Sequence, residues 1–411
     1  MVYLTAYDSI ASPDKRPILT FRLWHYATGK VMILQTAQEI RFGDQSIVGS
    51  VKEPVLMKAY NEYVQILQLE EGWNWISFNV HSDEIRQLIQ PGGQSSVIWK
   101  KGDIITNDNN DMTLTYASNG KWESNIVQPE NGFELSPTEC YRIKVDRPLE
   151  VEFIGSALKD ENERTIKLKS GWNGIGYTPM VNLPVATALA DYWSNAIEGD
   201  LIKSQHEFAM FTEGADGSGE WTGSLKYLKP GEGYMLKRTA DSDVDFHYPY
   251  YEPGETFIDA SLNAPVREAS AHSATMSMVA SVNGVTLQDD DRLVAYCNGE
   301  ICGEAKALKP VADGMRQQDS PLFYISISGD REAPVSFMIE RDGNIVATAW
   351  NIIIYKTDAV SGSPSDPTRI DFRNAELVPT DGWYSVHGIK LPGKPEERGI
   401  YIHNGKKEVI R

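Results

Sequence analysis

Between Gly72 and Leu135 the chain carries a pattern that returns between Gly171 and Leu236. The first copy opens Gly72-Trp73-Asn74-Trp75-Ile76 and the second Gly171-Trp172-Asn173-Gly174-Ile175. Gly102-Asp103-Ile104-Ile105 then answers Gly199-Asp200-Leu201-Ile202, and Trp122 answers Trp221. The copies close on Pro129-Glu130-Asn131-Gly132-Phe133 and on Pro230-Gly231-Glu232-Gly233-Tyr234. The offsets (171−72 = 99, 199−102 = 97, 221−122 = 99) make the duplicated unit about one domain long. A catalytic cleft arises once in a chain, whereas a duplicated unit that keeps Gly, Trp, Asn and Pro preserves a fold. The duplication therefore predicts a modular protein that is not an enzyme.

A second repeat brackets the first. Val2-Tyr3-Leu4-Thr5-Ala6-Tyr7 resembles Leu322-Phe323-Tyr324-Ile325-Ser326-Ile327, and Leu19–Leu23 answers Val335–Ile339. Phe42, Gly49 and Pro54 match Tyr355, Gly362 and Pro367 at one offset, since 355−42 = 362−49 = 367−54 = 313. Residues 1–57 thus read as the C-terminal half of a module whose complete copy spans 256–375. The expectation is a chain that starts in mid-domain, with upstream domains of the same polypeptide as its first partners.

Alternation with period two runs through most of the sequence. Tyr141, Ile143 and Val145 alternate with Arg142, Lys144 and Asp146, and Val244, Phe246 and Tyr248 alternate with Asp245 and His247. One buried and one wet face per strand is the reading. Helical spacing is confined to Ser82–Gln90 and Leu183–Trp193, at the same place in each copy. The expected fold class is all-β, tandem β-sandwich or β-roll modules, the two internal repeats each carrying one short helix. The expected boundaries are 1–57, repeat A at 58–157, repeat B at 158–255, a complete β-sandwich module at 256–375, and a short hairpin tail at 376–411. The linkers are short and not rich in Gly or Ser, so neighbouring modules are expected to touch as a semi-rigid rod.

The 411 residues suit roughly three to four domains. A net charge of −18 repels phosphate backbones and argues against nucleic acid as a partner. No run reaches the length of a membrane-spanning helix, so no transmembrane segment is expected. None of the seven histidines has a second His at metal-ligand spacing. No nucleophile elbow, phosphate loop or dinucleotide fingerprint occurs, and no cofactor is expected. The oxygen-rich run Asn107-Asp108-Asn109-Asn110-Asp111 lacks the glycine and terminal glutamate of a calcium loop and reads as a surface turn. Cys297 and Cys302 flank Asn298-Gly299, a hairpin turn signal. A bridge between them is open, with two small packed thiols as the plainer reading.

Tryptophan is the candidate ligand-binding residue. Trp73 and Trp75 lie two apart, hence on one strand face, and with Trp99 they are candidates for a flat platform under a sugar ring. The bland alternative is that the tryptophans fill the cores of both copies. Trp75 stands apart from that alternative, because its counterpart is Gly174.

The openings quoted above, with Gly199–Gln205 and Pro230–Lys237, resemble a module that recurs in large secreted surface proteins of Bacteroidetes. Asp291-Arg292-Leu293-Val294-Ala295-Tyr296 and Cys302-Gly303-Glu304-Ala305 resemble the β-sandwich module that accompanies it. Trp383–Arg411 is similar to the C-terminal sorting tail of such proteins, though shorter than a full type IX sorting domain. The resemblance implies a secreted, outer-membrane-associated or cell-surface location and an adhesive or spacer role toward a glycan or a host or cell-surface protein. The alternative is an accessory carbohydrate-binding array on a secreted glycoside hydrolase or peptidase, which would expose coplanar tryptophans.

Overall fold

The structure is a computed structural model. It describes residues 19, 21–25, 30–36, 40, 47–60, 63–82, 85, 99–127, 135–214, 217–251, 269–308, 321–374, 382–386, 391–403 and 406–410. Strand makes up 51% of the protein and helix 4%, so the fold is all-β. The helices Glu161–Arg164 and Val185–Ala188 are short. The second lies where helical spacing was expected in repeat B. Its counterpart in repeat A falls almost wholly outside the described residues.

Repeats A and B share one strand order. In A the sheet runs Gly72–Ile76, Tyr141–Val145, Ile104–Asn107, Met112–Tyr116, Trp122–Ser124. In B it runs Gly171–Gly176, Gly233–Arg238, Leu201–Lys203, Phe208–Glu213, Gly219–Gly223. Trp122 pairs with Tyr116, and Trp221 with Phe211, at matching places in this order.

The repeated residues earn their places by closing turns. Gly72 and Gly171 sit at φ of +113° and +84°, where a Cβ is strained. Asn74 Oδ1 accepts from Glu70 N at 3.0 Å, and its Nδ2 donates to the carbonyls of Glu70, Gly72 and Ile143. Asn173 does the same with Lys169, Gly171 and Leu236. One buried amide thus satisfies the loop before the first strand and ties it to the last strand. Asp103 and Asp200 are buried and accept from the main-chain N–H three residues earlier, at Lys100 and Ile197.

The close of repeat A expected at Pro129–Phe133 lies wholly outside the described residues, and the structure places the match elsewhere. Tyr234 Oη accepts from Lys229 N at 2.7 Å and donates to Glu232 Oε2 at 2.8 Å. Tyr141 makes the same two bonds with Ser136 N and Glu139 Oε2. The counterpart of Pro230–Tyr234 is therefore Pro137-Thr138-Glu139-Cys140-Tyr141, at an offset of 234−141 = 93. Thr138 and Cys140 stand where B has glycine, which hid the match.

The third module closes on itself. Strands Arg292–Cys297, Glu300–Leu308, Leu322–Gly329, Ala274–Asn283, Thr368–Asn374, Asn344–Ala349 and Ala333–Arg341 follow one another, and the last pairs back to the first. The expected sandwich is thus a seven-stranded barrel. Leu293, Ala295, Phe337 and Ile339 point into its core, while Val294, Tyr296 and Met338 point outward. The tail covers this outer patch. Its strands Trp383–Ser385, Gly399–His403 and Lys406–Ile410 form a small sheet, so the expected hairpin gains a third strand, and Tyr384, Val386 and Ile402 pack on the barrel. Cys297 and Cys302 form a disulfide across the hairpin, Cα–Cα 5.7 Å, which replaces the reading as two free thiols. Asn298 and Gly299 both take positive φ, as a two-residue hairpin turn requires.

The strands Phe21–His25, Lys30–Thr36 and Met57–Tyr60 repeat part of this barrel. Ile33 pairs with Tyr60 as Ala347 pairs with Asn374, both partners displaced by 314 (347−33 = 374−60). Gly49 and Gly362 share positive φ, and the turns Ser50–Glu53 and Ser363–Asp366 carry the same side-chain bond. The strand expected at Val2–Tyr7 lies outside the described residues.

Asn74→Ala and Asn173→Ala should each cost about 1–3 kcal/mol, because each strips partners from three carbonyls and one N–H. Denaturant unfolding should show similar losses for the twins; a loss at one position alone would break their equivalence.

Candidate functional site

The two repeats pack against each other through equivalent surfaces. Ser77 N donates to Gly231 O at 3.1 Å, and Gly176 N donates to Thr138 O at 2.9 Å. Gly176 is the counterpart of Ser77, and Thr138 of Gly231. The contact is therefore an isologous, pseudo-two-fold interface inside one chain. Each repeat also sends an amide onto the other's edge strand. Asn109 Oδ1 accepts from Gly174 N at 2.8 Å and its Nδ2 donates to Gly174 O at 2.7 Å. Gln205 Oε1 accepts from Trp75 N and its Nε2 donates to Trp73 O. The run Asn107–Asp111 is thus a docking loop, with Asn107 Oδ1 and Asn110 Oδ1 capping its own turns. Among the described residues no group of three acidic, His or Cys side chains is placed to hold a metal.

This packing decides the tryptophans. Trp75 is 3% exposed and Trp99 is 9% exposed, while Trp73 is half-buried. Trp73 and Trp75 do share a strand face, each beneath the cation opposite it: Lys144 Nζ is 5.7 Å from the Trp73 ring and Arg142 Cζ 4.6 Å from the Trp75 ring. That face is turned into the interface instead of solvent. Trp99 packs edge-on against Trp122, ring centroids 5.2 Å apart, within the core of repeat A. The expected candidates therefore do not form an exposed platform. Trp75 and Gly174 both lie against Cys140 and Met235 near the pseudo-axis, where there is room for one indole. Glycine opposite tryptophan is the packing solution to that asymmetry.

The barrel docks on the same centre. Phe208, Met210 and Leu201 of repeat B cover Val279 and Tyr324 on the barrel's outer face. Ser270, just before the barrel, pairs with Trp73 and so covers the edge strand of repeat A. Between these contacts lies Lys203, fully buried. Its Nζ donates to Asp358 Oδ1 at 2.7 Å and to Thr275 O at 2.9 Å, 4.4 Å from the Trp172 ring and 5.7 Å from the Trp75 ring. The two indoles reach over to the barrel as well, Trp172 Nε1 to Asp358 O and Trp75 Nε1 to Ser273 O, both at 3.1 Å. Asp358 holds its place in a turn at φ +56°. Arg142 forms an ion pair with Asp108 beside this cluster.

Burial sets the protonation of these groups. Desolvation pulls the Lys203 ammonium below 10.5, against the pull of Asp358. It pushes the Asp108 carboxyl above 3.8, with Arg142 opposing. Desolvation also raises the Cys140 thiol to about 12, so it is no nucleophile at neutral pH. The arrangement is an ionic latch joining three modules, with the barrel's carboxylate on the repeat's lysine. Sequence reading missed Lys203, Asp358 and Arg142. The available signal was Lys203 itself, a lone charge closing the apolar strand Leu201-Ile202-Lys203 inside a repeated motif. No family model matches this chain, and no curated protein or solved structure matches it significantly.

Asp358→Ala should cost about 3 kcal/mol by leaving the Lys203 charge buried without a counter-ion, and Lys203→Met should recover most of it in the double variant. Between the lowered Lys203 value and 10.5 the unfolded chain holds a proton that the folded chain has released. Stability linked to Lys203 therefore rises with pH through that window. A melting-temperature series against pH should lose this rise in Lys203→Met.

Proposed function

We propose that this chain is a non-catalytic, multi-module region of a larger secreted or surface-exposed bacterial protein, serving as a rigid spacer or adhesive arm. The observation that carries the reading is the Lys203–Asp358 latch beneath two indoles. A buried charge pair shared between modules is satisfied only when they are docked, so the repeats and barrel move as one body. The repeated Gly, Asn and Asp residues are all consumed in turns and caps, which agrees with selection for a fold over chemistry. The Cys297–Cys302 disulfide favours an oxidising compartment, in keeping with export. The charge of −18 disfavours polyanionic partners. A glycan or a cell-surface protein remains the partner class that suits this reading.

The alternative, a carbohydrate-binding array built on exposed tryptophans, is less well supported. Its candidates Trp75 and Trp99 are buried and Trp73 is half-buried.

Scanning calorimetry of the full chain should show the two repeats and the barrel melting in one transition, which Asp358→Ala splits into separate steps. Antibodies against the chain should label intact cells of the source bacterium. Separate melting in the unaltered protein, or labelling of lysed cells alone, would sink the reading.

A further inference from the structure

The joint of the three modules holds an amine against a carboxyl in a place closed to solvent. Lys203 is 0% exposed, and its Nζ lies 2.7 Å from Asp358 Oδ1. We propose that Lys203 and Asp358 condense into an isopeptide bond, Nζ to Cγ, that joins repeat B covalently to the barrel, with Asp108 relaying the proton. The ion pair described above is the state from which the bond forms, so the inference rests on the docked joint of the proposed function.

Both reacting groups are held by one carbonyl. Thr275 O accepts from Lys203 Nζ at 2.9 Å and from the Asp358 main-chain N–H at 3.2 Å. Asp358 is fixed further by its own carbonyl, which accepts from Trp172 Nε1 at 3.1 Å, and by its turn at φ +56°. A hydrogen bond of 2.7 Å to one carboxyl oxygen leaves the nitrogen about 3.5 Å from the carbon, the spacing of a near-attack arrangement. The Trp172 and Trp75 rings, 4.4 and 5.7 Å from Nζ, wall the amine with apolar surface. Burial there weakens its hold on a proton, the charge of Arg142 adds to this, and Asp358 opposes it. An uncharged, desolvated amine is the form that acts as a nucleophile. Neither residue is demanded by its module. Repeat A has Thr106 where repeat B has Lys203 (203−106 = 97), and the partial copy has Gln45 where the barrel has Asp358 (358−45 = 313).

The step balances without a further reactant. A proton passes from the ammonium to the carboxylate, the amine lone pair adds to Cγ, and a C–O bond breaks as one water leaves. Asp108 lines the same cavity as Asp358, and burial raises its carboxyl above 3.8, with Arg142 opposing. It takes a proton from the nitrogen and returns one to the departing hydroxyl, ending as it began. The cavity, about 340 Å³, gives the water an exit. Two buried charges become one neutral amide, which removes the desolvation penalty that the ion pair carries. The pH-dependent stability of Lys203 belongs to the chain before condensation.

Intact-mass measurement of the full chain, denatured and with its disulfide reduced, tests the bond. The expected mass is that of the sequence less one water, and digestion should yield a branched fragment joining the Lys203 and Asp358 segments. Lys203→Arg and Asp358→Ala should each restore the full mass. Asp358→Asn should release ammonia in place of water, a result that loss of folding cannot imitate. Asp108→Ala should leave most chains unlinked, and complete linkage in that variant would overturn the relay. Full mass in the unaltered chain, or a missing water that maps to other residues, overturns the bond. Calorimetry on the same samples separates the two failures. Full mass with one cooperative melt sinks only the bond, whereas a joint that melts in pieces sinks the rigid-arm reading.

Discussion

A lysine with no exposed surface holds this protein together. Lys203 sits where two repeats and a barrel meet, and its charge is tolerable only because Asp358, Thr275 O and two indole faces surround it. An unpaired ammonium in that position would cost several kcal/mol. The consequence is specificity as much as stability. Apolar surfaces such as Phe208, Met210, Val279 and Tyr324 supply area, but they would accept many docking angles. The ion pair and the indole N–H bonds from Trp75 and Trp172 accept one.

The pseudo-two-fold interface explains why duplicated modules came to differ. Where two copies of a surface face each other across an axis, residues near the axis meet their own counterparts, and both cannot be large. Trp75 against Gly174, and Cys140 against Gly233, follow from that rule. A Cβ on Gly233 would collide with Cys140 Sγ and the Ile76 carbonyl, and one on Gly176 with the Pro137 carbonyl. Away from the axis the copies stay alike, because Asn74 and Asn173 serve the same turn independently of the partner.

The barrel shows the cost of serving several neighbours. Its strands bury residues on both faces: Leu293 and Ala295 inward, Val294 and Tyr296 beneath the tail. Such strands read as continuous apolar runs instead of strict alternation. The same logic covers Val279 and Tyr324, which face repeat B. The outward residues Val279 and Tyr324 are thus a docking surface for repeat B, and Val294, Tyr296 and Met338 are the one that holds the tail's small sheet.

The sequence by itself determined the all-β class, the duplication and the second, partial repeat. Turn glycines, capping amides and period-two patterns are local, and local geometry repeats wherever the residues repeat. It also placed Trp73 and Trp75 on one strand face, since that follows from the pleat alone. What only the tertiary structure decided is where that face points. Burial of Trp75, the glycine opposite it, the docking role of Asn109 and Gln205, and the pairing of Lys203 with Asp358 across 155 residues all depend on how folded modules stack. The close of repeat A was misread for a related reason. Thr138 and Cys140 replace glycines because their surroundings at the interface differ, and the shared tyrosine–glutamate bond that reveals the match exists only in three dimensions.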